Sequence, residues 1–357
     1  MKAVVLRKQD DLAVIDVPEP RIGADEALVR MTHCGICGSD IRYLRGDNPW
    51  AKQTLGEKHT NPENIILGHE VTGVVEQVGA DCDPCLIGKR VAILAFGTCG
   101  ECVHCKRGEE HLCGQTQHLG HGAGWGESEY YYGGMAEYVP AYAKWLFPLP
   151  DTVSNEAGAV LDPLGVAVHG VRKLGVCEGD PLLVIGGGAV GALAVQVAKV
   201  AARAGSVIVA DISDAVLDTD RAMGADLVVN PLTEGVAAAV RRASDGLGVR
   251  AILDTIGAEL NEYLPLLARG GRYLTMTVTD QPQSIRTSLL AGERSIASSC
   301  NFQYPDYHEA LSLLERCKLP YEPIITHRFS LADAVEAFRV AEDKAATGAV
   351  KVMLTNT

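Results

Sequence analysis

The 357-residue sequence lacks an apolar run long enough to cross a membrane. One of its longest apolar stretches, Val190–Ala202, is interrupted by Gln196 and Lys199, whereas a spanning helix needs about 20 apolar residues. The apolar run near the N-terminus lies between Lys2 and Arg7 and is too short for a secretory signal peptide. We therefore expect a cytoplasmic protein without a membrane partner.

Excess positive charge is also absent. The formal net charge is −13, and Lys and Arg form no consecutive run longer than two residues. A surface of that sign repels phosphate backbones, so we expect no nucleic-acid partner. The sequence has no internal repeat and no low-complexity segment either, which favours an ordinary globular protein.

The sequence changes character after Pro150. Before it, short apolar segments alternate with Gly, Pro, Asp and Asn turns, which predicts a mainly antiparallel, barrel-like domain. After it, short apolar strands alternate with helical patterns, which predicts a parallel, doubly wound sheet. A helix predicted over 154–174 begins at Ser154, and Gly158 and Pro163 predict an interruption within it.

A glycine-rich turn follows the apolar strand Leu182–Ile185 and leads into a helix predicted over 189–204. Glycine at such a turn permits the tight bend, the close approach of a pyrophosphate and the close packing of helix on strand. The free N–H groups of the helix N-terminus favour phosphate. The candidate cofactor-binding residues here are Gly186, Gly188, Val190 and Gly191.

An acidic residue, Asp211, ends the next predicted strand, 20 residues after Gly191. That distance is typical of a carboxylate that binds the adenosine ribose hydroxyls of a dinucleotide. A carboxylate there repels a 2′-phosphate, and no Lys or Arg lies between Asp211 and Arg221 to offset it. The sequence therefore predicts NAD rather than NADP as the cofactor.

Of the 11 cysteines, four lie within a 15-residue segment. They are Cys99, Cys102, Cys105 and Cys113. Thiolates at such short spacings can surround one tetrahedral zinc ion, and a closed site of four sulfurs is structural rather than catalytic. His104 and His111 lie in the same segment as alternative ligands.

Three separate motifs carry candidate ligands for a second, catalytic metal. They are Cys34–Asp40, with the sequence C-G-I-C-G-S-D, then Gly68–Glu70, and then Leu161–Pro163. A catalytic zinc uses about three protein ligands and keeps one position open for substrate. The residues alone leave open whether these motifs meet.

Together with the cysteine quartet, the nucleotide-binding turn, Asp211 and the ending Gly348–Val352, these motifs resemble the zinc-containing medium-chain dehydrogenases over essentially the full length. That family includes alcohol, sorbitol and threonine dehydrogenases. The resemblance implies a GroES-like catalytic domain and a Rossmann domain. It implies a catalytic domain over 1–163, an NAD-binding domain over 164–298, and a return to the catalytic domain over 299–357.

The resemblance also assigns roles to individual residues. Cys37 and His69 match the catalytic zinc ligands, and Glu70 matches a residue that either binds the metal or lies beside it. Asp162 falls where relatives supply a further ligand, so it binds either directly or through water. The remaining assignments are Ser39 to the substrate proton, Asp40 to the orientation of His69, and Lys351 to the cofactor.

Some positions depart from the family pattern. Arg42 stands where liver-type alcohol dehydrogenases have a shuttle histidine, and Val216 stands where relatives often have an arginine. The segment over 41–67 is longer than in sorbitol dehydrogenases, and we expect it to influence substrate specificity. It contains Asn48, Pro49, Trp50, Lys58, His59 and Asn64. A second glycine-rich segment, with His118 and His121, predicts a flexible surface loop or a lid over substrate.

The predicted function is the zinc-dependent oxidation of a secondary alcohol by NAD, with one catalytic and one structural Zn²⁺. Carboxylates rather than a second thiolate around the metal favour a polyol, a sugar or another vicinal hydroxy compound, and L-threonine is the alternative substrate. A non-catalytic nucleotide-binding relative is disfavoured because the metal-ligand motifs are retained, and a zinc-free quinone reductase is disfavoured by both metal clusters. The resemblance further implies a homo-oligomer, a tetramer or a dimer.

Overall fold

The computed structural model describes residues 1–48, 51–52, 61–279, 281–317 and 319–356. The chain forms two compact units, one of Met1–Asp162 with Ile325–Thr357 and one of Pro163–Ile324. Within the described ranges, no helix combines the length and apolar character needed to cross a bilayer.

Strands supply most of the regular structure of the first unit and the central sheet of the second. In chain order they are β1 (Lys2–Lys8), β2 (Asp11–Asp16), β3 (Glu26–Ile36), β4 (Ile65–Ile66), β5 (Glu70–Val78), β6 (Arg90–Ile93), β7 (Phe96–Gly97), β8 (Gln117–His118), β9 (Tyr138–Tyr142), β10 (Leu146–Pro148), β11 (Leu182–Ile185), β12 (Val207–Ala210), β13 (Leu227–Val229), β14 (Val249–Asp254), β15 (Leu267–Thr275), β16 (Ser295–Ser298), β17 (Ile325–Ser330) and β18 (Lys351–Thr355).

Helices are short in the first unit and longer in the second. Those that the described residues form are α1 (Gly38–Leu44), α2 (Val103–Lys106), α3 (Asn155–Ala159), α4 (Leu161–Leu174), α5 (Ala189–Val200), α6 (Asp214–Ala222), α7 (Val236–Ala243), α8 (Leu260–Tyr263), α9 (Tyr304–Cys317), α10 (Ala334–Glu342) and α11 (Lys344–Thr347).

The first unit contains a sheet in the order β10-β6-β5-β3-β18-β17, with β9 also paired to β3. Every pair in it is antiparallel except β17 with β18. Strand β3 is central to this sheet, and its residues Ala27, Val29 and Met31 are fully buried. A second sheet, β2-β1-β4, is also antiparallel. The mainly antiparallel character predicted for the first part of the chain is confirmed.

The second unit contains a sheet in the order β13-β12-β11-β14-β15-β16, in which all pairs are parallel. Every residue of β11 and β12 is buried, as expected for central parallel strands covered on both faces. Numbered within the unit, this order is 3-2-1-4-5-6, that of a Rossmann fold, and it reverses at β11. Ligands of such sheets bind where the order reverses, beyond the carboxyl ends of the strands.

The helical segment that follows Pro150 is interrupted as the sequence predicts. The hydroxyl of Ser154 accepts a hydrogen bond from the N–H of Ala157 at 3.0 Å, which caps α3. The break falls at Val160, and Pro163 lies in the first turn of α4, where a missing N–H costs no helical hydrogen bond.

The second unit extends to Ile324, whereas the resemblance places its end at 298. Contacts between α4 and the segment around α9 explain the difference. The ring of His169 lies 2.8 Å from the buried carboxylate of Asp306, and Phe302 packs closely against Gly165. These contacts attach residues 299–324 to the second unit rather than to the first.

Candidate metal and nucleotide sites

Cys37, His69 and Glu70 converge in the first unit. Their candidate ligand atoms all lie within 4.8 Å of one another. Strand pairing explains the convergence: β3 and β5 are antiparallel neighbours, and Gly35 lies opposite Glu70. Cys37 follows the end of β3, and His69 precedes the start of β5. The register of two strands therefore places a thiol beside an imidazole that is 32 residues away in sequence.

Asp40 fixes the two segments that carry these ligands. It is fully buried in the first turn of α1. One of its oxygens accepts the N–H of Cys37 at 2.8 Å, and the other accepts the N–H of Gly68 at 3.2 Å. The second oxygen also lies 3.6 Å from Nδ1 of His69. One carboxylate thus binds both chain segments and lies on the Nδ1 side of the His69 imidazole, where it can orient the ring.

Lys351 forms a buried ion pair with Glu70. Its Nζ lies 2.6 Å from each carboxylate oxygen and 3.2 Å from the carbonyl oxygen of Ile36. Lys351 is only 3% exposed and Glu70 only 1%. A Cβ at Gly35 would lie 2.1 Å from Glu70 Oε2, so the glycine of the C-G-I-C motif makes room for this carboxylate. The structure thus places Lys351 beside the metal-ligand candidates, and its cofactor role stays a prediction.

The electrostatics of the cluster suit a cation. Burial alone lowers the pKa of His69, but Asp40 and Cys37 raise it well above its usual range. Burial likewise lowers the pKa of Lys351, and Glu70 more than offsets this effect. Both shifts show that buried negative groups here favour a positive charge. A thiol, an imidazole and a carboxylate are also ligand types that zinc prefers, so these residues fit a zinc ion.

Ser39 and Asp162 also lie at the cluster. The hydroxyl of Ser39 is 3.5 Å from Nε2 of His69. The pKa of Asp162 is raised to about 7, mainly by burial and also by Glu70 and Asp40, whereas His69 and Lys351 oppose the shift. Asp162 is not in the group of ligand atoms within 4.8 Å. Its direct coordination of the metal therefore stays a prediction.

The cysteine quartet is already arranged as a zinc site. The Sγ–Sγ distances are 3.5 Å for Cys102–Cys105, 3.6 Å for Cys113–Cys99 and 3.9 Å for Cys99–Cys105. Four sulfurs at about 2.3 Å from one tetrahedral zinc would lie about 3.8 Å apart. Backbone N–H groups of Glu101 and Cys102 lower the pKa of Cys99 to about 6, which favours the thiolate that zinc needs, whereas burial raises the pKa of Cys105 and of Cys113. The imidazole of His104 pairs with Glu109 instead.

The glycine-rich turn after β11 has the geometry of a phosphate-binding loop. Gly186 has a φ of +89°, which favours glycine. A Cβ at Gly191 would lie 2.0 Å from the backbone oxygen of Gly186, so the helix packs against the turn more closely than a residue with a side chain would allow. Gly188 precedes α5, whose N-terminus has no side-chain cap, and Val190 lies in its first turn. Space around Gly188 and an uncapped helix N-terminus suit a pyrophosphate.

Asp211 is fixed against this turn. One oxygen accepts the N–H of Gly187 at 2.8 Å, and the other accepts the N–H of Ser213 at 2.9 Å. The carboxylate therefore lies directly after β12 and beside the glycine-rich loop. This is the position that a ribose-binding carboxylate takes in a Rossmann fold.

The segment with His118 and His121 is not the surface loop that its glycines suggest. His118 is 9% exposed and His121 is fully buried. The two rings stack with centroids 4.1 Å apart, and the ring of His118 lies 5.5 Å from that of His69. Burial, together with His69, lowers the pKa of His118 to about 3, so its imidazole is neutral. Pairing of β7 with β8 brings this segment inward, and no local pattern signals that pairing.

The long segment over 41–67 is only partly described. Arg42 binds Asp47 through Nε at 3.0 Å and Nη2 at 2.7 Å. Asn48 is buried and its Oδ1 accepts the N–H of Ala51. Pro49, Trp50, Lys58 and His59 lie outside the described residues. The role of this segment in specificity therefore stays a prediction.

Comparison with known proteins identifies similar domains and similar proteins. Residues 23–151 match the alcohol dehydrogenase GroES-like domain, and residues 189–316 match the zinc-binding dehydrogenase domain. The chain is 30% identical over 347 residues to an L-threonine 3-dehydrogenase of Anaeromyxobacter dehalogenans, with 95% of each chain covered. It is 27% identical over 344 residues to a sorbitol dehydrogenase of Bacillus subtilis, covering 96% of this chain and 93% of the relative.

A solved structure shares the whole fold. An Escherichia coli CFT073 protein described as a short chain alcohol dehydrogenase, complexed with NADH, superposes with a TM-score of 0.88. It is 27% identical and covers 100% of this chain and 99% of its own. The chain is thus a dehydrogenase with a GroES-like and a Rossmann domain. It belongs to the zinc-containing medium-chain dehydrogenase family.

Proposed function

We propose that the protein oxidises a secondary alcohol of a polyol, a sugar or a related vicinal hydroxy compound with the help of zinc, so that hydride passes from the carbon that bears the hydroxyl to NAD. The observation that carries the proposal is the convergence of Cys37, His69 and Glu70 within 4.8 Å. These three side chains come from two separate motifs, Cys34–Asp40 and Gly68–Glu70. A thiolate, an imidazole and a carboxylate leave a fourth zinc position open for substrate.

In the first unit, some residues would bind the metal and others would position these ligands. Zinc bound here would act as a Lewis acid that lowers the pKa of a substrate hydroxyl. Cys37 and His69 would be its ligands, and Asp40 holds both in place through the N–H groups that it accepts. Either Glu70 or Asp162 would supply the oxygen donor. Lys351 keeps Glu70 oriented and balances its charge.

Ser39 is the group that we propose to receive the proton of the substrate hydroxyl. Its Oγ lies 3.5 Å from Nε2 of His69, so it borders the proposed metal position. A serine hydroxyl both accepts and donates and can pass a proton onward. Arg42 offers no basic nitrogen and is paired with Asp47, so it does not replace a shuttle histidine.

The second unit would bind NAD. The pyrophosphate would lie at the N-terminus of α5, and the ribose hydroxyls would bind Asp211. Asp211 is already fixed by two N–H groups, so little ordering is needed on binding. Its negative charge would repel the 2′-phosphate of NADP. The similar fold of the Escherichia coli protein with NADH supports the same cofactor class.

The substrate class rests on the donors around the proposed zinc. Glu70 and Asp162 give it a carboxylate-rich environment with one thiolate, which favours substrates with a second hydroxyl. The similarity to a sorbitol dehydrogenase supports a polyol. The similarity to an L-threonine 3-dehydrogenase makes L-threonine the second candidate.

The test is NAD reduction by the purified protein with polyols, sugars, simple alcohols and L-threonine, with and without a chelator. We expect a polyol or sugar to give the highest kcat/KM, and we expect metal analysis to find about two zinc ions per chain.

Cys37→Ser should lose one zinc and the activity, whereas Cys85→Ser, at an exposed cysteine outside both clusters, should keep both zinc ions and the activity. A kcat/KM for L-threonine orders of magnitude above every polyol would reverse the ranking. A two-zinc protein that reduces NAD with none of these substrates would contradict the proposal.

We further propose a cytoplasmic homo-oligomer, with a tetramer favoured over a dimer by the family resemblance. The excess of acidic residues supports the absence of nucleic acid as a partner. Light scattering of the purified protein tests the assembly, and a monomeric mass at assay concentrations would contradict it.

A further inference from the structure

Asp220, on α6, is a buried carboxyl that the proposed reaction does not use. It is fully buried, and neither of its oxygens has a hydrogen-bond partner among the described residues. The other fully buried aspartates, Asp40 and Asp306, are both well partnered. A buried carboxylate without partners is strongly disfavoured, whereas a buried carboxylic acid costs far less.

Asp220 lies directly against the proposed phosphate-binding loop. A Cβ at Gly187 would lie 1.9 Å from Asp220 Oδ2 and 3.0 Å from Cγ1 of Val216. The N–H of the same glycine binds Asp211. Two carboxyl groups therefore flank Gly187. That of Asp211 accepts a hydrogen bond from its N–H, and that of Asp220 packs against its α-carbon.

The charged groups on neighbouring elements leave Asp220 without a described cation. On α6 itself, Arg221 binds Asp218 and Asp214 accepts a hydrogen bond from Asn230. On α5, Lys199 binds Asp226 and the oxygen of Gly205. Asp211, directly after β12, carries a negative charge. On the 3-10 turn Glu322–Ile324, which α6 contacts, Glu322 accepts a hydrogen bond from the N–H of Tyr321. Burial, with the charge of Asp211, raises the pKa of Asp220 to about 8.

We propose that Asp220 is a proton-linked positioning residue of the dinucleotide site, whose carboxyl must be protonated for tight cofactor binding. With the acid neutral, the N-terminus of α5 presents only partial positive charge to the pyrophosphate. With the acid ionised, a negative charge lies behind Gly187 and repels the phosphates. Above neutral pH, binding would therefore take up one proton from solvent. This inference rests on the proposed binding of a dinucleotide at this loop.

The test is the Kd of NADH for the zinc-loaded protein, measured by fluorescence from pH 7 to pH 9.5. If only the protonated form binds tightly, Kd should rise about tenfold between pH 7 and pH 9. Asp220→Asn, which cannot ionise and keeps the shape, should remove most of this rise. Asp218→Asn, at an exposed position of the same helix, should leave it unchanged. Calorimetry in two buffers of different ionisation enthalpy should show about one proton taken up near pH 9 by the wild type and none by Asp220→Asn.

The outcomes separate this inference from the proposed function. If wild type and Asp220→Asn bind NADH at pH 7 and lose affinity in parallel at higher pH, the inference is wrong and the dinucleotide site stands. If neither protein binds NADH at pH 7, the proposed function itself fails. A melting curve for each variant checks that both are folded over the pH range.

A steric test examines the contact without titration. Gly187 does not have a positive φ, so an alanine there is limited by space alone. Gly187→Ala should weaken NADH binding because its methyl group would collide with Asp220. Combining it with Asp220→Ala should restore most of the affinity. A double variant no better than Gly187→Ala alone would show that Asp220 does not lie against the loop as described.

Discussion

The two metal-ligand clusters of the first unit are built in different ways. The cysteine quartet comes from 15 contiguous residues and closes on itself. The cluster of Cys37, His69 and Glu70 depends on the register of β3 with β5 and on Lys351 from β18. The first is therefore a local structure, and the second is a product of the whole sheet.

The two clusters therefore differ in how their charges are compensated when no metal is bound. The quartet contains thiols that repel one another once ionised, so without a cation it has no reason to remain closed. The second cluster balances its charges internally, since Lys351 neutralises Glu70 and Asp40 faces His69. Zinc should thus matter to the stability of the first and to the activity of the second.

The largest effect should follow from opening the quartet. We expect Cys105→Ser to lose one zinc per chain and to lower the free energy of unfolding by about 4 kcal/mol or more, as losses of structural metals do. Metal analysis and thermal melting measure both changes. The Kd of NADH at pH 7 should stay unchanged because the nucleotide loop lies in the other unit. The control is Cys317→Ser, an exposed cysteine outside the quartet. Equal melting temperatures for Cys105→Ser and the control would show that the quartet has no structural role.

The next largest effect should come from Lys351→Met, which leaves the carboxylate of Glu70 buried and uncompensated. Breaking such a buried pair costs about 3–5 kcal/mol, and urea unfolding measures it. Lys2→Met is the matched control, since it breaks an exposed pair with Asp16 whose partners are 54% and 76% exposed.

Lys351→Arg should recover part of the lost stability. The same variants decide the role of Lys351. A loss of stability with an unchanged NADH Kd supports its place at the metal cluster. A raised Kd without a loss of stability would support the cofactor role expected from the resemblance.

Local patterns in the sequence predicted the features that depend on neighbours in the chain. The spacing of the cysteines, the glycines after β11 and the position of Asp211 each describe one loop or turn, and the structure places each as expected. The parallel sheet follows from the alternation of short apolar strands with helices, because each crossover is local.

Features that depend on distant pairing were not predictable in this way. The contact of Lys351 with Glu70 joins residues 281 positions apart. The inward position of His118 depends on β7 and β8, two-residue strands with no periodic pattern. Asp220 reads as one more charge on an acidic, amphipathic helix, and only the packing of α6 against the glycine-rich loop shows that it is buried.

A smaller effect should separate the two clusters most cleanly, and it comes from Asp40→Asn. The two oxygens of Asp40 accept hydrogen bonds from the N–H groups of Cys37 and Gly68. Asparagine keeps only one acceptor oxygen, and its NH₂ group would face the other N–H, so one of the two hydrogen bonds is lost. It also removes the negative charge that faces His69. Loss of such a supporting carboxylate lowers metal affinity or activity by about 10–100-fold.

Competition with a chelator measures the change at each cluster, because the two zinc ions should leave in separate phases. Only the zinc of Cys37 and His69 should leave more easily in Asp40→Asn, and the quartet should keep its zinc as in the wild type. Asp47→Asn, at a half-exposed aspartate just beyond the same helix, should change neither phase. If Asp40→Asn released both zinc ions together, the two clusters would be coupled, and the contrast between a local and a sheet-built metal site would not hold.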